Sequence, residues 1–508
     1  YSPLVQALVL EHLRPNLLWD ESLWQEERSL VTRQVSRYEG MIRKGETLVE
    51  RGAQLTPQRV RALESLEQEM RSQGIGHNPW LILLGQLMCV GLIAALLSTY
   101  LRRNRQQLFF RLRRVMLVLL VMVVMLALVV VLYMFNENLT NGLGVDLFYL
   151  LPLTMGGIII TVFFDDRIGF AINIFLALLA SLIIHQRFDY FFIQAVAGSV
   201  AVFNVSMLRN RSQFFITSGI LLVTYMGAYL GIQLYLTGDV FQINYGNLVL
   251  FVINVLFTLG TYPLIYLFER VTGITSDLTY LELLDSEHPL LKDLALKAPG
   301  TYQHSLRVAS IAEEVARKID ANALQVHAGA LFHDIGKMDN PQYFIENQSP
   351  NYNPHDQLLP QQSAQVIIEH VSRGVELGRY YNLPEEMIDF IRTHHGTSRV
   401  EFFYRQHLNM VDNPDDETLA DFTYPGPLPN TKEQAILMLA DSAEAASRTL
   451  KSPTPEALEE LVEKITASKI QQNQFGHARI TFRDLNRIKR EIIKLLQSMY
   501  HQRVEYPE

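Results

Sequence analysis

Seven of the 14 histidines lie between residues 304 and 395: His304, His327, His333, His355, His370, His394 and His395. Two of these form informative pairs. His333 is followed by Asp334 in HDIGK, and His394-His395 stands directly before Gly396. A lone histidine on a helix is more often a core or surface residue than a ligand. The two pairs, joined by His304, His370 and the distant Asp441 in LADSAE, make a donor set. Adjacent helical residues point about 100° apart. His333 can therefore bind one metal ion while Asp334 bridges to a second with its two oxygens. Gly336 lets the helix stop and leaves Lys337 at the lip. His394 and His395, near a helix end, can both reach one ion.

Five imidazoles and two carboxylates form an N/O set that suits Mn, Fe or Zn rather than a thiolate site. Two ions roughly 3.5–4 Å apart would deprotonate a bridging water and clamp phosphoryl oxygens. That is the chemistry of in-line attack on a phosphodiester.

The elements that must position these groups are helical. From Leu278 onward, helix-period patterns alternate with connectors rich in Pro, Asn and Gly. Thr431, with Gln434 three residues later, has capping-box spacing. Ala435, Ile436, Leu439 and Ala440 are the apolar positions of the helix it starts. No alternating strand pattern persists, so this part reads as an all-α domain.

Upstream, seven apolar runs follow one another: 80–100, 115–135, 147–164, 168–184, 190–208, 214–235 and 247–268. Each approaches the roughly 20 residues a helix needs to cross a bilayer, and helices satisfy their own backbone groups in lipid. The loop after the first run holds Arg102, Arg103, Arg105, Arg111, Arg113 and Arg114. Arg167, then Arg209 and Arg211, then Arg270 follow the third, fifth and seventh runs, while the alternate loops hold only Arg187. The excess of positive charge on the cytoplasmic side predicts an N-terminal segment outside and everything after residue 270 inside. No cluster of acids and bases lies within the runs, which argues against a transporter.

Residues 1–75 are polar. Short extended pieces with turns at Gly45 and Gly52 are expected over 38–52, and a helix from Thr56-Pro57 toward Met70, giving a small extracellular α+β segment. The 508-residue chain carries a net charge of −8 and one cysteine, Cys89. Those values offer no basic face for a DNA or RNA duplex and no disulfide framework or Cys-based zinc site.

The C-terminal motifs HPLLKDLALKAPGTYQHSL, HDIGKMDNPQYFIENQ, NPHD, IIEHV, THHGT, YPGPLP and TKEQAILMLADSAEAASR resemble those of the HD superfamily of phosphohydrolases. With the apolar block and the outer RKGETLVERGAQLT, nearly the whole chain is similar to the 7TM-HD group of bacterial membrane cyclic di-AMP phosphodiesterases. The resemblance implies that His304, His333 and Asp441 hold one metal ion, that His370, His394 and His395 hold another, and that Asp334 bridges both. It also implies two divalent ions, Mn or Fe, and linear pApA as product. Lys337 would balance phosphate charge, His355 in NPHD would touch substrate or pin a loop, and Thr397 is a weaker candidate for substrate contact. His327 is read as structural.

The implied organisation is an extracellular segment at 1–78, shortened at its start relative to the family, and a seven-transmembrane domain at 79–270. A linker helix at 271–298, expected to transmit a signal, and a cytoplasmic HD domain at 299–508 complete it. The expected location is the bacterial plasma membrane, with room for an external ligand and a homo-oligomer. Two alternatives stand: an HD hydrolase of another nucleotide, such as cyclic di-GMP or a nucleoside triphosphate, and a nucleotide-binding membrane receptor without turnover. The GYP motif of many cyclic di-GMP enzymes is absent after HHG.

Overall fold

Uncharged runs in this chain form helices, as the need to satisfy every backbone group demands. A computed structural model describes residues 3–12, 19–34, 42, 47–49, 53–72, 79–104, 109, 112–143, 145–184, 187–205, 213–349, 352–410, 416–450 and 453–500. Among them the architecture is helical without a named strand; a single antiparallel bridge joins Arg399 and Thr423. The chain divides into two units, Tyr1–Leu92 and Ile93–Glu508.

The first unit holds α1 (Pro3–His12), α2 (Glu21–Gln34), α3 (Pro57–Ser72) and the start of α4 (Pro79–Asn104). α3 begins as expected: Thr56 Oγ1 accepts from the Arg59 amide at 3.4 Å, and Pro57 occupies the first turn. The extended pieces expected over 38–52 lie largely outside the described residues, so the small α+β segment reduces to helices where it is seen.

Among the described residues, five helices are long and apolar enough to cross a membrane, or six if one bent pair counts as a single span. They lie within α4, α5 (Leu112–Leu143), α7 (Asp166–Ile183), α8 (Phe188–Val205) and α9 (Gln213–Thr237). The bent pair is α10 (Gly246–Leu259) with α11 (Thr261–Thr272), inclined 41° at Gly260. The run expected at 147–164 is not one helix. A 3-10 turn, Leu147–Leu150, precedes Pro152, and only then does α6 (Thr154–Phe163) begin. Its 10 residues span about 15 Å at 1.5 Å per residue, half the hydrocarbon thickness. Carbonyls freed by this break are met by a side chain, since Asn254 Nδ2 donates to Tyr149 O at 3.0 Å and Leu151 O at 2.7 Å. Arg187, the lone cation of the alternate loops, pairs with Asp146 and Asp189 and donates to the Tyr149 hydroxyl at 3.0 Å.

The expected linker helix over 271–298 is two short helices, α12 (Asp277–Leu283) and α13 (Pro289–Lys297). Ser276 caps the first, and Pro289 opens the second after His288. Leu278 belongs to the membrane-side core, while Tyr280, Leu283, Leu290, Leu291 and Leu294 belong to the C-terminal core. The segment is therefore shared between two cores rather than free between them. The remaining helices are α14 (Pro299–Lys318), α15 (Ala323–Phe332), α16 (Pro360–Tyr380), α17 (Glu385–Thr393), α18 (Glu401–Leu408), α19 (Asp416–Asp421), α20 (Lys432–Ser447), α21 (Pro455–Gln471) and α22 (Phe482–Met499).

α20 is central to the C-terminal domain. Ala435 through Ala440 are all buried, and Thr431 caps the helix by accepting from the Gln434 amide at 3.2 Å. Each large apolar side chain fully buried here contributes about 1.5–3 kcal/mol. α15 and α17 meet where Gly329 leaves room for the Phe390 ring; a Cβ on Gly329 would lie 2.4 Å from it.

Candidate metal centre

Five elements of this domain deliver polar side chains to one buried point. α14 starts at Pro299, and its first turn is pinned by Asn347, whose Oδ1 accepts from the amides of Gly300 at 2.8 Å and Thr301 at 3.2 Å. That register buries His304 one turn later. α15 ends at Phe332, so His333 and Asp334 emerge at its C-terminus before a 3-10 turn, Ile335–Met338. Gly336 does not stop this helix, which has already ended. Its missing side chain instead admits α16, because a Cβ there would lie 1.9 Å from His370 O. α17 ends at Thr393, and His394 and His395 follow before Gly396, whose φ of +55° lies in the left-handed region. α20 supplies Asp441 and, one turn on, Glu444.

His333, His370 and His394 share a device. Each donates from Nδ1 to the carbonyl three residues earlier: Ala330 at 2.7 Å, Ile367 at 2.5 Å and Ile391 at 2.7 Å. The carbonyl holds a proton on Nδ1 and turns each Nε2 toward the centre. Asp334 lies between two sets of these atoms. Its Oδ2 is 3.2 Å from His333 Nε2 and 3.7 Å from His304 Nε2. Its Oδ1 is 3.3 Å from His370 Nε2 and 3.5 Å from His394 Nε2. Asp441 Oδ1 joins the first set, 2.9 Å from His304 Nε2 and 3.6 Å from His333 Nε2. The donor atoms of His304, His333 and Asp334 lie within 4.8 Å of one another, as do those of His370, His394 and His395.

The donors fit a metal better than a closed hydrogen-bond network. His333 Nε2 and Asp334 Oδ1 are buried and have no hydrogen-bond partner, a costly state unless another electrophile is met. Burial favours protonated carboxyls, but the charges of His333 and Lys337 overcome it and hold Asp334 well below the usual carboxylate range. Burial lowers His394 to about 4 and, with the neighbouring His394 and His370, holds His395 well below the usual histidine range. Against burial, Asp334 and Asp441 push His333 up to about 10, and Asp441 with Glu444 raises His304, so these two imidazoles hold protons that an arriving metal ion would displace.

Around this centre lie groups that sequence reasoning did not find. Glu444 Oε2 sits 2.5 Å from His304 Nδ1 and is itself held by Arg307 Nε at 2.6 Å and Arg448 Nε at 3.2 Å. The available signal was its spacing of three from Asp441 and four from Arg448, which puts all three on one helix face. Tyr424 stacks on His395, ring centroids 4.2 Å apart. Glu346 pairs with Lys337 at 2.9 Å.

The other expected residues fall as follows. Lys337 Nζ lies 2.7 Å from Asp334 Oδ2, at the lip of the cluster. His355 donates to Tyr343 O at 2.8 Å and packs on Phe403, which ties down its loop outside the cluster. Thr397 is exposed and is gripped by Gln474, which accepts from its amide and donates to its hydroxyl, each at 3.0 Å. His327 pairs with Glu313 at 2.6 Å, away from the cluster.

Comparison with known proteins gives three family matches: "7TM-HD extracellular" over residues 1–68, "7TM receptor with intracellular HD hydrolase" over 80–276, and "HD domain" over 301–446. The chain is 33% identical to the cyclic-di-AMP phosphodiesterase PgpH of Bacillus subtilis (strain 168), over 97% of this chain and 69% of that protein. It is 31% identical to the PgpH of Listeria monocytogenes serotype 1/2a (strain 10403S), over 100% of this chain and 69% of that protein. The crystal structure of the L. monocytogenes PgpH HD domain in complex with cyclic-di-AMP is 41% identical, with a TM-score of 0.41. It covers 43% of this chain and 100% of its own.

Proposed function

The chain belongs to the 7TM-HD family, membrane proteins with an intracellular HD hydrolase domain, and on that premise we propose that it opens cyclic di-AMP to linear pApA with two divalent ions, Mn or Fe. It is a multi-pass membrane protein with a metal-dependent hydrolase fold, and it is a cyclic-dinucleotide phosphodiesterase. His304, His333 and Asp441 would hold one ion and His370, His394 and His395 the other, with Asp334, which faces both sets, available to each. When bound, such ions supply an activated water and positive charge for the phosphoryl oxygens.

The chain's own residues prepare that chemistry. The Nδ1 bonds to carbonyls orient the three imidazole rings, with Nε2 toward the centre, before any ligand arrives. Glu444 does the same for His304, orienting Nε2 toward Asp441. Lys337, held between Asp334 and Glu346, brings a positive charge to the lip where phosphate oxygens would lie. His355 pins its loop, and Thr397 is a weaker candidate for substrate contact on this reading. The observation that carries the proposal is Asp334, whose two oxygens face separate sets of imidazole nitrogens.

The Arg-rich loops support an N-terminal segment outside and the HD domain in the cytoplasm, with accessibility of a Lys494→Cys variant to impermeant thiol reagents as the check. The organisation into 1–78, 79–270, 271–298 and 299–508 belongs to this proposal, as does regulation by an external or membrane signal passing through 271–298.

The decisive experiment compares turnover of cyclic di-AMP, cyclic di-GMP and nucleoside triphosphates by the metal-replete full chain in detergent. Fast formation of pApA, abolished in Asp334→Ala with helical content unchanged, is expected. Metal-loaded protein that turned over none of them would instead favour the receptor reading.

A further inference from the structure

Cations around the metal centre are almost all committed to carboxylates. Lys337 lies between Asp334 and Glu346, and Arg307 and Arg448 share Glu444. Lys469, on the last turn of α21, is different. Its Nζ donates to the Ser398 hydroxyl at 2.7 Å, and among the described residues no carboxylate forms an ion pair with it. Ser398 itself is buried and lies three residues beyond His395. Its amide donates to His395 O at 3.1 Å, which holds its backbone in the turn after that imidazole. Burial depresses the Lys469 ammonium to about 8 against the opposing charge of Asp441. Asp441 is already engaged by His304 and His333.

Partly burying an ammonium for one bond to a neutral hydroxyl is unfavourable. An arriving anion would restore the balance. The substrate proposed above brings two phosphodiesters, and the metal centre engages only the one to be cleaved. The second lies across the ring and needs a cation beside the centre rather than in it. We propose that Lys469, with the Ser398 hydroxyl, binds the uncleaved phosphate of the cyclic dinucleotide.

This role selects for substrates with two phosphates. The residue lies beyond the 301–446 span matched by the HD model, on a helix that the hydrolytic core does not require for its ligands. The same end of α21 also steadies the turn after His395, through Gln474 and Thr397. A purely structural role for Lys469 is therefore the competing explanation.

The inference rests on the cyclic-dinucleotide reading, and the experiment separates the two. Metal-replete full chain, Lys469→Met and Lys469→Arg are compared on cyclic di-AMP and on bis(p-nitrophenyl) phosphate, which has a single phosphate. In Lys469→Met, the ratio of kcat/KM for cyclic di-AMP to that for the single diester should fall roughly tenfold or more, mainly through KM. Lys469→Arg should recover most of the loss. A parallel fall on both substrates would make Lys469 a pin for the His395 turn and overturn the assignment. Wild-type protein that cleaved the single diester but not cyclic di-AMP would overturn the substrate reading, and this inference with it.

Discussion

At the residue scale, the centre depends on which imidazole nitrogen carries a proton. Three of the histidines solve this with the carbonyl three residues back. His304 uses Glu444 instead, and Glu444 is in turn balanced by two arginines. A carboxylate behind a ligating histidine raises its basicity and holds its ring, and losing such a partner costs about 10–100-fold in metal affinity. Glu444→Gln should therefore weaken metal binding by about that factor and lower turnover at limiting metal, with activity largely recovered at saturating metal. A metal titration indistinguishable from wild type would show that His304 needs no such support.

At the element scale, the two halves of the centre are brought together by close backbone approach. Gly336 follows the His333-Asp334 pair, and a Cβ there would meet His370 O at 1.9 Å and Gly374 N at 2.5 Å. These are backbone atoms of α16, which cannot rotate aside as a side chain can. Gly336→Ala must push α16 away or distort the turn, and His370 moves with α16. The expected cost is about 1–3 kcal/mol of stability, read as a lower melting temperature, together with loss of metal from the His370 group. An unchanged melting temperature with full metal occupancy would mean that the two elements have slack which the geometry does not suggest.

At the scale of the whole molecule, the membrane-side core runs through Leu278 and the C-terminal core begins at Tyr280. Between α11 and α12, Thr275 Oγ1 donates to Glu386 Oε2 at 2.7 Å. Glu386 lies in the first turn of α17, the helix that His394 and His395 directly follow. A displacement of the membrane-side segment thus has a direct mechanical route to one half of the candidate metal centre. Thr275→Val removes that bond without touching a proposed ligand. It should shift turnover of the full chain by roughly twofold to tenfold, the range of one hydrogen bond, while metal content stays constant. Unchanged turnover would show that coupling does not travel through this contact.

Much of this was legible before any fold was seen. Histidines and aspartates at HD and HH spacing are conspicuous because donors of that kind are costly inside apolar helices. The structure gathers all seven expected ligand residues at one point. Apolar runs and arginine placement likewise announced a membrane block, since a bilayer imposes one length and one chemistry. The sequence could not determine partners far apart along the chain. Glu444 meets His304 across 140 positions, and Lys469 meets Ser398 across 71. Nor could it decide that the 147–164 run breaks at Pro152 around Asn254, or that 271–298 is split between two cores. Periodicity reports which residues seek burial; only packing decides which neighbours they find there.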